Sequence, residues 1–174
     1  TFFSNAFCYT FESNKGITAV LGGIPTLTEI PLYHSQFVNM PITAVGSILK
    51  KRGYHSFFCI GDECDNFGFA KCTRWLGIDR YYCKDDMGYT NVPLHTMGMQ
   101  DEYVLDFMHK KIVQFEKPFF FFNYNISTHF PYNLPPSFSK KFDSGYTAAM
   151  KAMNYYDFSL QKFFKQSEKE EWFR

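Results

Sequence analysis

A nearly all-apolar run stands late in the chain, Phe119-Phe120-Phe121-Phe122-Asn123-Tyr124-Asn125-Ile126, directly after Lys117-Pro118. Such a run suits a β-strand that is buried on both faces of a parallel sheet. We expect a strand this apolar to lie at the centre of its sheet. Ligands of open α/β sheets bind outside the carboxyl ends of the strands, so the residues after Ile126 are candidates for a functional site.

Shorter strands and helices alternate along the rest of the chain. Strands are predicted at His55 to Ile60 and at Arg80 to Cys83. The clearest helix is Asp101 to Phe115, with apolar residues on one face and charges on the other. Further helices are predicted at Gly16 to Leu21, from Asn39-Met40-Pro41 to Gly53, at Phe67 to Leu76, and at Gly145 to Gln166 with Met153, Leu160, Phe163 and Phe164 as its core stripe. The alternation indicates a single-domain α/β fold with a mostly parallel central sheet.

The composition supports a well-packed domain and argues against several functions. The chain has 174 residues, of which 22 are Phe and 12 are Tyr, so core mass is ample. The formal net charge is +1 and no stripe of Lys and Arg is present, which gives no electrostatic case for nucleic acid. No run of about 18 or more apolar residues, as a membrane-spanning helix requires, is present.

The five cysteines contain no C-x-x-C pair, so a zinc site is poorly supported. Their odd number leaves at least one thiol unpaired within the chain. We expect buried free thiols, with a disulfide among the last four as the alternative in an oxidising compartment. The cysteines are Cys8, Cys59, Cys64, Cys72 and Cys83.

Ser13 opens the first apolar helix, in the segment Ser13-Asn14-Lys15-Gly16-Ile17. As an N-cap alone, Ser13 would stabilise its helix by about 1 kcal/mol and do nothing else. A helix N-terminus also favours an anion, through its backbone N–H groups and its dipole. A free hydroxyl is barely ionised at neutral pH, so a nucleophilic Ser13 would need an activator such as a divalent metal on its oxygen.

His129 follows the apolar run, in the segment Ile126-Ser127-Thr128-His129-Phe130-Pro131-Tyr132. A lone histidine after a strand is more often a hydrogen-bonded loop residue than a catalytic one. Its place at the end of a central strand favours a site, and together with Ser13 it suggests phosphate or sulfate ester chemistry. The two side chains should then lie on one edge of the sheet, within roughly 10 Å. The other four histidines have less support: His34, His55, His95 and His109.

Two acidic pairs need an interpretation. Asp62-Glu63 follows the strand His55 to Ile60 through Gly61, which places the pair on the expected functional edge. A metal or substrate role is open there, but the pattern is unspecific. Asp101-Glu102 opens a helix, where the dipole favours carboxylates, and that explanation suffices.

Six motifs in order cover nearly the whole chain. They are Phe2-Phe3-Ser4-Asn5-Ala6-Phe7; Ser13-Asn14-Lys15-Gly16-Ile17 with Ala19-Val20-Leu21-Gly22-Gly23-Ile24-Pro25; Ile48-Leu49-Lys50-Lys51-Arg52-Gly53-Tyr54; Leu76-Gly77-Ile78-Asp79 with Tyr81-Tyr82; Gly98-Met99-Gln100-Asp101-Glu102; and Lys117-Pro118-Phe119-Phe120, ending at Ser127-Thr128-His129-Phe130-Pro131-Tyr132. Together they resemble the sulfatase branch of the alkaline phosphatase superfamily. Within it, the chain is most similar to the membrane-anchored lipoteichoic acid synthase and phosphoglycerol transferase group.

The resemblance implies a three-layer alkaline phosphatase-like fold and assigns roles to several residues. It makes Ser13 both a ligand of a divalent metal ion (Mn, Mg, Ca or Zn) and the nucleophile that attacks phosphorus. It makes His129 a contact to the substrate ester. Asp62 and Glu63 lie where family members often place substrate-binding residues, although the local match is loose.

The resemblance also implies what surrounds residues 1–174. The family's first metal-binding acid lies on a strand that would precede Thr1, and its Asp-His metal pair on one that would follow Arg174. The chain is therefore expected to be the central part of one catalytic domain that is extracytoplasmic and anchored by membrane helices elsewhere. Alone it should be inactive and hold little metal. Its substrate should be a lipid or glycan ester, with no nucleic acid as partner.

Ser13 departs from the sulfatases that use formylglycine. That modification requires a Cys/Ser-x-Pro-x-Arg setting, whereas Lys15 and Ile17 stand at the corresponding positions. The departure favours transfer of a phosphoglycerol-like group over sulfate hydrolysis. A sulfuric ester hydrolase and a non-catalytic binding or scaffolding domain are the alternatives.

Overall fold

The computed structural model of the protein describes residues 4–8, 10–27, 29–115, 118–142 and 145–174. Residues 2–3 of the first motif and Lys117 lie outside this part. The central sheet consists of β1 (His55–Ile60), β2 (Arg80–Tyr82) and β5 (Phe119–Tyr124), all parallel, in the order β2-β1-β5. Two short strands, β3 (Leu94–His95) and β4 (Gly98–Met99), form an antiparallel hairpin. The predicted α/β fold with a parallel central sheet is confirmed.

Helices cover both faces of this sheet. The α-helices are α1 (Ser13–Gly22), α2 (Val45–Lys51), α3 (Phe69–Trp75), α4 (Asp101–Ile112), α5 (Pro136–Ser139) and α6 (Ala148–Ser167). Short 3-10 helices stand at Leu32–His34, Gln36–Asn39, Asn66–Gly68, Lys84–Met87 and Glu171–Phe173. None of these helices is long and apolar enough to cross a membrane.

The alternation of side chains along β1 divides the core into two clusters. Phe58 and Ile60 pack with residues of α1 and α3 on one face of the sheet. Cys59 points to the opposite face, where it packs with residues of α4 and, at the cluster's margin, α6. The result is a three-layer arrangement of helices, sheet and helices, with β1 in the middle.

β5 is not the central strand of the sheet that the described residues form. It pairs only with β1, and all six of its residues are half-buried. β1 has a neighbour on each side and buries every residue except His55. The expectation of a central β5 is therefore wrong for this sheet, because the apolar character of a strand does not reveal how many neighbours it pairs with.

Two details of the predicted helices are also wrong. Asn39 ends a 3-10 helix, and α2 begins only at Val45, because the Ser47 hydroxyl bonds the N–H and the carbonyl of Ala44 at 3.0 and 2.8 Å and caps the helix there. In α6, Met153 and Phe164 of the expected core stripe are exposed, at 61% and 47% of their surface. The helix instead buries a face that includes Ala152, Tyr155 and Ser159.

Cys64 and Cys83 form a disulfide, so the expectation of free thiols fails for this pair and the alternative holds. Both residues follow the carboxyl ends of neighbouring parallel strands, β1 and β2, which brings their Cα atoms to 5.0 Å. Cys59 and Cys72 are buried free thiols, as expected, and Cys8 is an exposed one. The bond ties the loop after β1 to the end of β2.

Asp79 joins the start of β1 to the segment before β2. Its carboxylate accepts hydrogen bonds from the Ser56 N–H at 3.0 Å, the Ser56 hydroxyl at 3.1 Å and the Lys50 Nζ at 2.9 Å. The Asp79 N–H in turn donates to the Ser56 hydroxyl at 3.0 Å. Partial burial works against the charged form, but the hydrogen bonds from Lys50 and Ser56 outweigh it and lower the pKa of Asp79.

We predict that Asp79→Ala lowers the free energy of unfolding at neutral pH by roughly 1–3 kcal/mol, because the Ser56 N–H loses its acceptor. The lowered pKa gives a stabilisation that is present above about pH 4 and lost as the pH falls through the folded-state pKa. The difference in the free energy of unfolding between wild type and variant should therefore become smaller in acid. Urea unfolding measured across this pH range checks both points.

The control is Asp157→Ala, which removes an exposed carboxylate on α6 and should change stability by less than about 0.5 kcal/mol. An Asp79 variant as stable as this control at neutral pH would contradict the interpretation.

Candidate active site

Ser13 is the first helical residue of α1 and not its N-cap. The N-cap is Glu12, whose side chain makes no capping hydrogen bond and whose carbonyl accepts from the N–H groups of Lys15 and Gly16 at 3.1 and 3.0 Å. The Glu12 carboxylate pairs instead with Lys15 Nζ at 2.8 Å. The expectation that Ser13 caps the helix is wrong, and its exposed hydroxyl is left available for other contacts.

The Ser13 side chain forms a hydrogen bond with Tyr124, the last residue of β5. The Tyr124 ring packs near the rings of Phe58 and Phe69, with centroids 6.4 and 5.3 Å away. Burial raises the pKa of the Tyr124 hydroxyl, with the bond from Ser13 opposing the shift, so the phenol stays neutral. Sequence reasoning missed Tyr124, although a hydroxyl at the carboxyl end of a strand is a usable signal.

The loop that carries His129 is fastened at its start by a buried polar network. The Asp101 carboxylate accepts from the Ile126 N–H at 3.2 Å and from the Ser127 N–H at 2.8 Å. The Ser127 hydroxyl accepts from the Asp101 N–H and donates to Gln100 Oε1, both at 2.9 Å. Burial raises the pKa of Asp101 to about 6, against the opposing pull of these donors. The helix dipole alone therefore does not explain Asp101, which also holds the loop.

His129 itself is exposed at the end of this loop. Its backbone N–H donates to the Ile126 carbonyl at 2.9 Å. Its Nδ1 lies 2.7 Å from the Phe130 carbonyl, and because a carbonyl only accepts, Nδ1 carries the proton of the neutral ring. Nε2 therefore can accept a hydrogen bond from a ligand, or donate one when the ring is protonated. The next peptide, Phe130–Pro131, is cis.

Ser13 and His129 line one pocket of about 300 Å³ at the carboxyl end of the sheet. The structure thus brings together the two residues that the sequence singled out most clearly. The other lining residues are Phe11, Glu12, Asn14, Phe67, Phe69, Met97 and Tyr124. The pocket combines a hydroxyl, an imidazole and the N-terminus of α1 with aromatic walls, which suits a small anionic ester with an organic substituent.

Asp62 and Glu63 do not line this pocket. Asp62 is 1% exposed, and its Oδ1 accepts from the Glu63 N–H at 2.7 Å and from Asn66 Nδ2 at 2.8 Å. Glu63 is exposed and pairs with Lys84. These contacts hold the loop that presents Phe67 to the pocket, so the substrate role of both acids stays a prediction without geometric support.

A metal site around Ser13 is not complete within the described residues. Among the described residues, the group of three neighbouring His, Cys, Asp or Glu ligands is Cys64, Cys83 and Asp86, and its two sulfurs are already bonded to each other. Beside Ser13, the Glu12 carboxylate is engaged by Lys15. This part of the chain offers an ion the Ser13 hydroxyl; Asp62 Oδ2 is buried without a hydrogen-bond partner, but Asp62 does not line the Ser13 pocket.

The Sulfatase family model matches residues 1–172. Two solved structures are similar: a protein in the alkaline phosphatase superfamily from Vibrio parahaemolyticus, at 24% identity, and the lipoteichoic acid synthase LtaP from Listeria monocytogenes, at 15% identity. Each has a TM-score of 0.76, over 92% and 91% of this chain. The chain spans 40% of the length of each, and at these identities the likeness concerns the fold. The chain therefore belongs to the sulfatase family and has the fold of the alkaline phosphatase superfamily.

Proposed function

We propose that this chain supplies the nucleophile and an ester-contacting histidine of an enzyme that transfers a phosphate-linked group, such as phosphoglycerol, to an alcohol. The observation that carries the proposal is the pocket shared by Ser13 and His129. Membership of the sulfatase family supports ester chemistry in general. The finer choice of a transferase of the lipoteichoic acid synthase type rests on the sequence motifs.

In the proposed reaction, Ser13 Oγ forms a bond to phosphorus while the bond from phosphorus to the donor's alcohol oxygen breaks. The Ser13 proton ends on the departing alcohol. A second alcohol then takes the group from Ser13, and its own proton returns to Ser13 Oγ. Ser13 stands at the N-terminus of α1, where the helix dipole and first-turn N–H groups favour the negative charge of the transferring group.

Two neighbours of Ser13 have roles in this proposal. Tyr124, which hydrogen-bonds the Ser13 side chain, orients its hydroxyl. His129 Nε2 contacts an ester oxygen, because Nδ1 is engaged by the Phe130 carbonyl. Both residues line the pocket.

A divalent metal ion is part of the proposal, because family resemblance makes Ser13 a metal ligand. Such an ion would lower the pKa of the Ser13 hydroxyl and neutralise charge on the ester. The described residues do not complete a site for it, so its other ligands would come from further parts of the full-length protein.

Sulfate ester hydrolysis is the second candidate, favoured by the match to the Sulfatase family model. Lys15 and Ile17 oppose it, since they replace the residues that formylglycine formation needs. Turnover of an aryl sulfate and of an aryl phosphodiester by the full-length protein separates the two. Failure with both substrates, and with added divalent metals, would favour a non-catalytic binding or scaffolding domain.

We further propose that residues 1–174 are the central part of an extracytoplasmic domain that acts on a lipid or glycan ester and is anchored to the membrane by other segments. The Cys64–Cys83 disulfide supports the location, because disulfides persist in oxidising compartments. The span of 40% of each similar structure is consistent with a partial domain. Alkaline carbonate extraction of membranes containing the full-length protein, with protease protection, tests the location.

We predict that Ser13→Ala in the full-length protein abolishes turnover and leaves the melting temperature nearly unchanged. The hydroxyl caps nothing and its hydrogen bond to Tyr124 contributes only about 1 kcal/mol, so little stability depends on it, whereas the covalent route requires it. Activity and thermal melting are measured side by side. Thr10→Ala, which removes another hydroxyl three residues before Ser13, serves as control and should stay active; the reverse pattern would move the nucleophile to Thr10.

We predict that His129→Ala lowers the rate by roughly a hundredfold or more, with little effect on stability, because the exposed ring supports no core packing. Steady-state kinetics and calorimetry check this. His55→Ala, at the exposed start of β1, should change neither quantity much. A His129 variant that melts many degrees lower but turns over normally would make this residue structural.

A further inference from the structure

His95 is a buried imidazole beside the pocket that the mechanism above does not use. It stands on β3, is 3% exposed, and lies two residues before Met97, which lines the pocket. A buried titratable side chain is costly unless its polar atoms are hydrogen-bonded. The partners of its two ring nitrogens therefore indicate what this residue does.

The hydrogen bonds of His95 fix its tautomer. The Met97 N–H donates to Nδ1 at 3.1 Å, so Nδ1 carries no proton. Nε2 lies 3.1 Å from the His129 carbonyl, which only accepts, so Nε2 carries the proton and donates it. Burial lowers the pKa of His95, which keeps this neutral form in place.

The acceptor of this bond is the backbone carbonyl of His129, the residue whose side chain contacts the substrate in the proposed function. The His129 carbonyl also accepts the Tyr132 N–H at 2.9 Å, so it is held by a donor from within the loop and a donor from the hairpin. The hairpin side adds two further bonds to the same loop. Gln100 Nε2 donates to the Asn133 carbonyl at 2.8 Å, and the Thr96 hydroxyl donates to Asn133 Oδ1.

We propose that His95 is a positioning residue that holds the His129 carbonyl through its Nε2–H and so fixes the loop from which the His129 side chain reaches the pocket. The inference rests on the proposed role of His129 for its effect on catalysis. Its structural half, the fixing of the loop, stands independently of any activity.

The test uses the full-length protein and two variants with side-chain amides. One variant can replace the donor at Nε2 of His95, and the other can replace the acceptor at Nδ1. In His95→Gln the side-chain amide nitrogen can take the place of Nε2 and keep the donor to His129. In His95→Asn the shorter side chain can take the place of Nδ1 and accept the Met97 N–H, but no donor reaches His129. His109→Gln is the control, since His109 is a half-buried histidine on α4 that packs near Phe163 and Trp172.

The first measurement needs no substrate. Nitrogen-15 NMR of the wild-type imidazoles should show His95 protonated on Nε2 alone. Hydrogen exchange at the His129 and Tyr132 amides should accelerate about tenfold or more in His95→Asn, and stay near wild type in His95→Gln and His109→Gln. A proton on Nδ1 of His95, or unchanged exchange in His95→Asn, would overturn the proposal.

The second measurement is kinetic, with an aryl phosphodiester as substrate. His95→Asn should lower kcat roughly tenfold with KM within about twofold, and His95→Gln should recover most of the loss. In the His95→Asn background, His129→Ala should lower kcat by a clearly smaller factor than it does in wild type, because the His129 ring is already misplaced. An equal loss of kcat in both backgrounds would overturn the proposed effect of His95 on catalysis. If no variant and not even wild type turns over substrate, the proposed function fails, and the exchange data alone decide the role of His95.

Discussion

The parallel pairing of β1 with β5 is the constraint on which the site depends. The register runs from His55 opposite Phe119 to Ile60 opposite Tyr124, so the two strands end at the same level. The loops that follow, one with Asp62 and one with His129, therefore leave the sheet at the same edge. The phenol of Tyr124 reaches Ser13 from this edge, because β5 ends beside the N-terminus of α1.

The hairpin of β3 and β4 docks against the same edge through Gly61. The Met99 N–H donates to the Gly61 carbonyl at 2.7 Å, and a Cβ on Gly61 would lie 2.5 Å from the Met99 carbonyl. Only glycine allows this approach without displacing backbone. The close contact carries His95 to the back of the His129 loop, and α4 follows directly with Gln100 and Asp101. Gly98 is needed on the hairpin side as well, because a Cβ there would overlap the Gly61 carbonyl. Two glycines thus make room for the elements that hold the loop.

The general fold was predictable from the sequence, because burial imposes periodicity on each element separately. The strand at His55–Ile60 and the helix from Asp101 were evident in this way. The neighbour relations were not: apolar content did not show that β5 lies at an edge of this sheet. Cap positions were also misjudged, since Ser13 and Glu12 are adjacent and either could precede a helix. The disulfide required knowing that β1 and β2 are adjacent.

The candidate site was predictable only where its residues stand in motifs. Ser13 and His129 do, and the structure brings them to one pocket. Tyr124 and His95 act through single hydrogen bonds to residues far away in the chain, and no local pattern encodes such a contact. No pattern in the sequence distinguishes His95 from His34, His55 and His109. The buried hydrogen-bond network of Asp101 was also not predicted, because the position of Asp101 at a helix N-terminus already explained a carboxylate there.

The described residues place little positive charge around the pocket. Among the lining residues that the structure describes, Glu12 is neutralised by Lys15, and no Lys or Arg faces the pocket with its charge free. Lys84, near the same edge, is engaged by Glu63. From the described residues, an anionic ester would therefore meet the dipole of α1, neutral hydroxyls and the His129 ring. These partial charges are what the described residues offer to stabilise a bound anion. A divalent ion on Ser13 would add positive charge at this point, and so would a Lys or Arg from another part of the full-length protein.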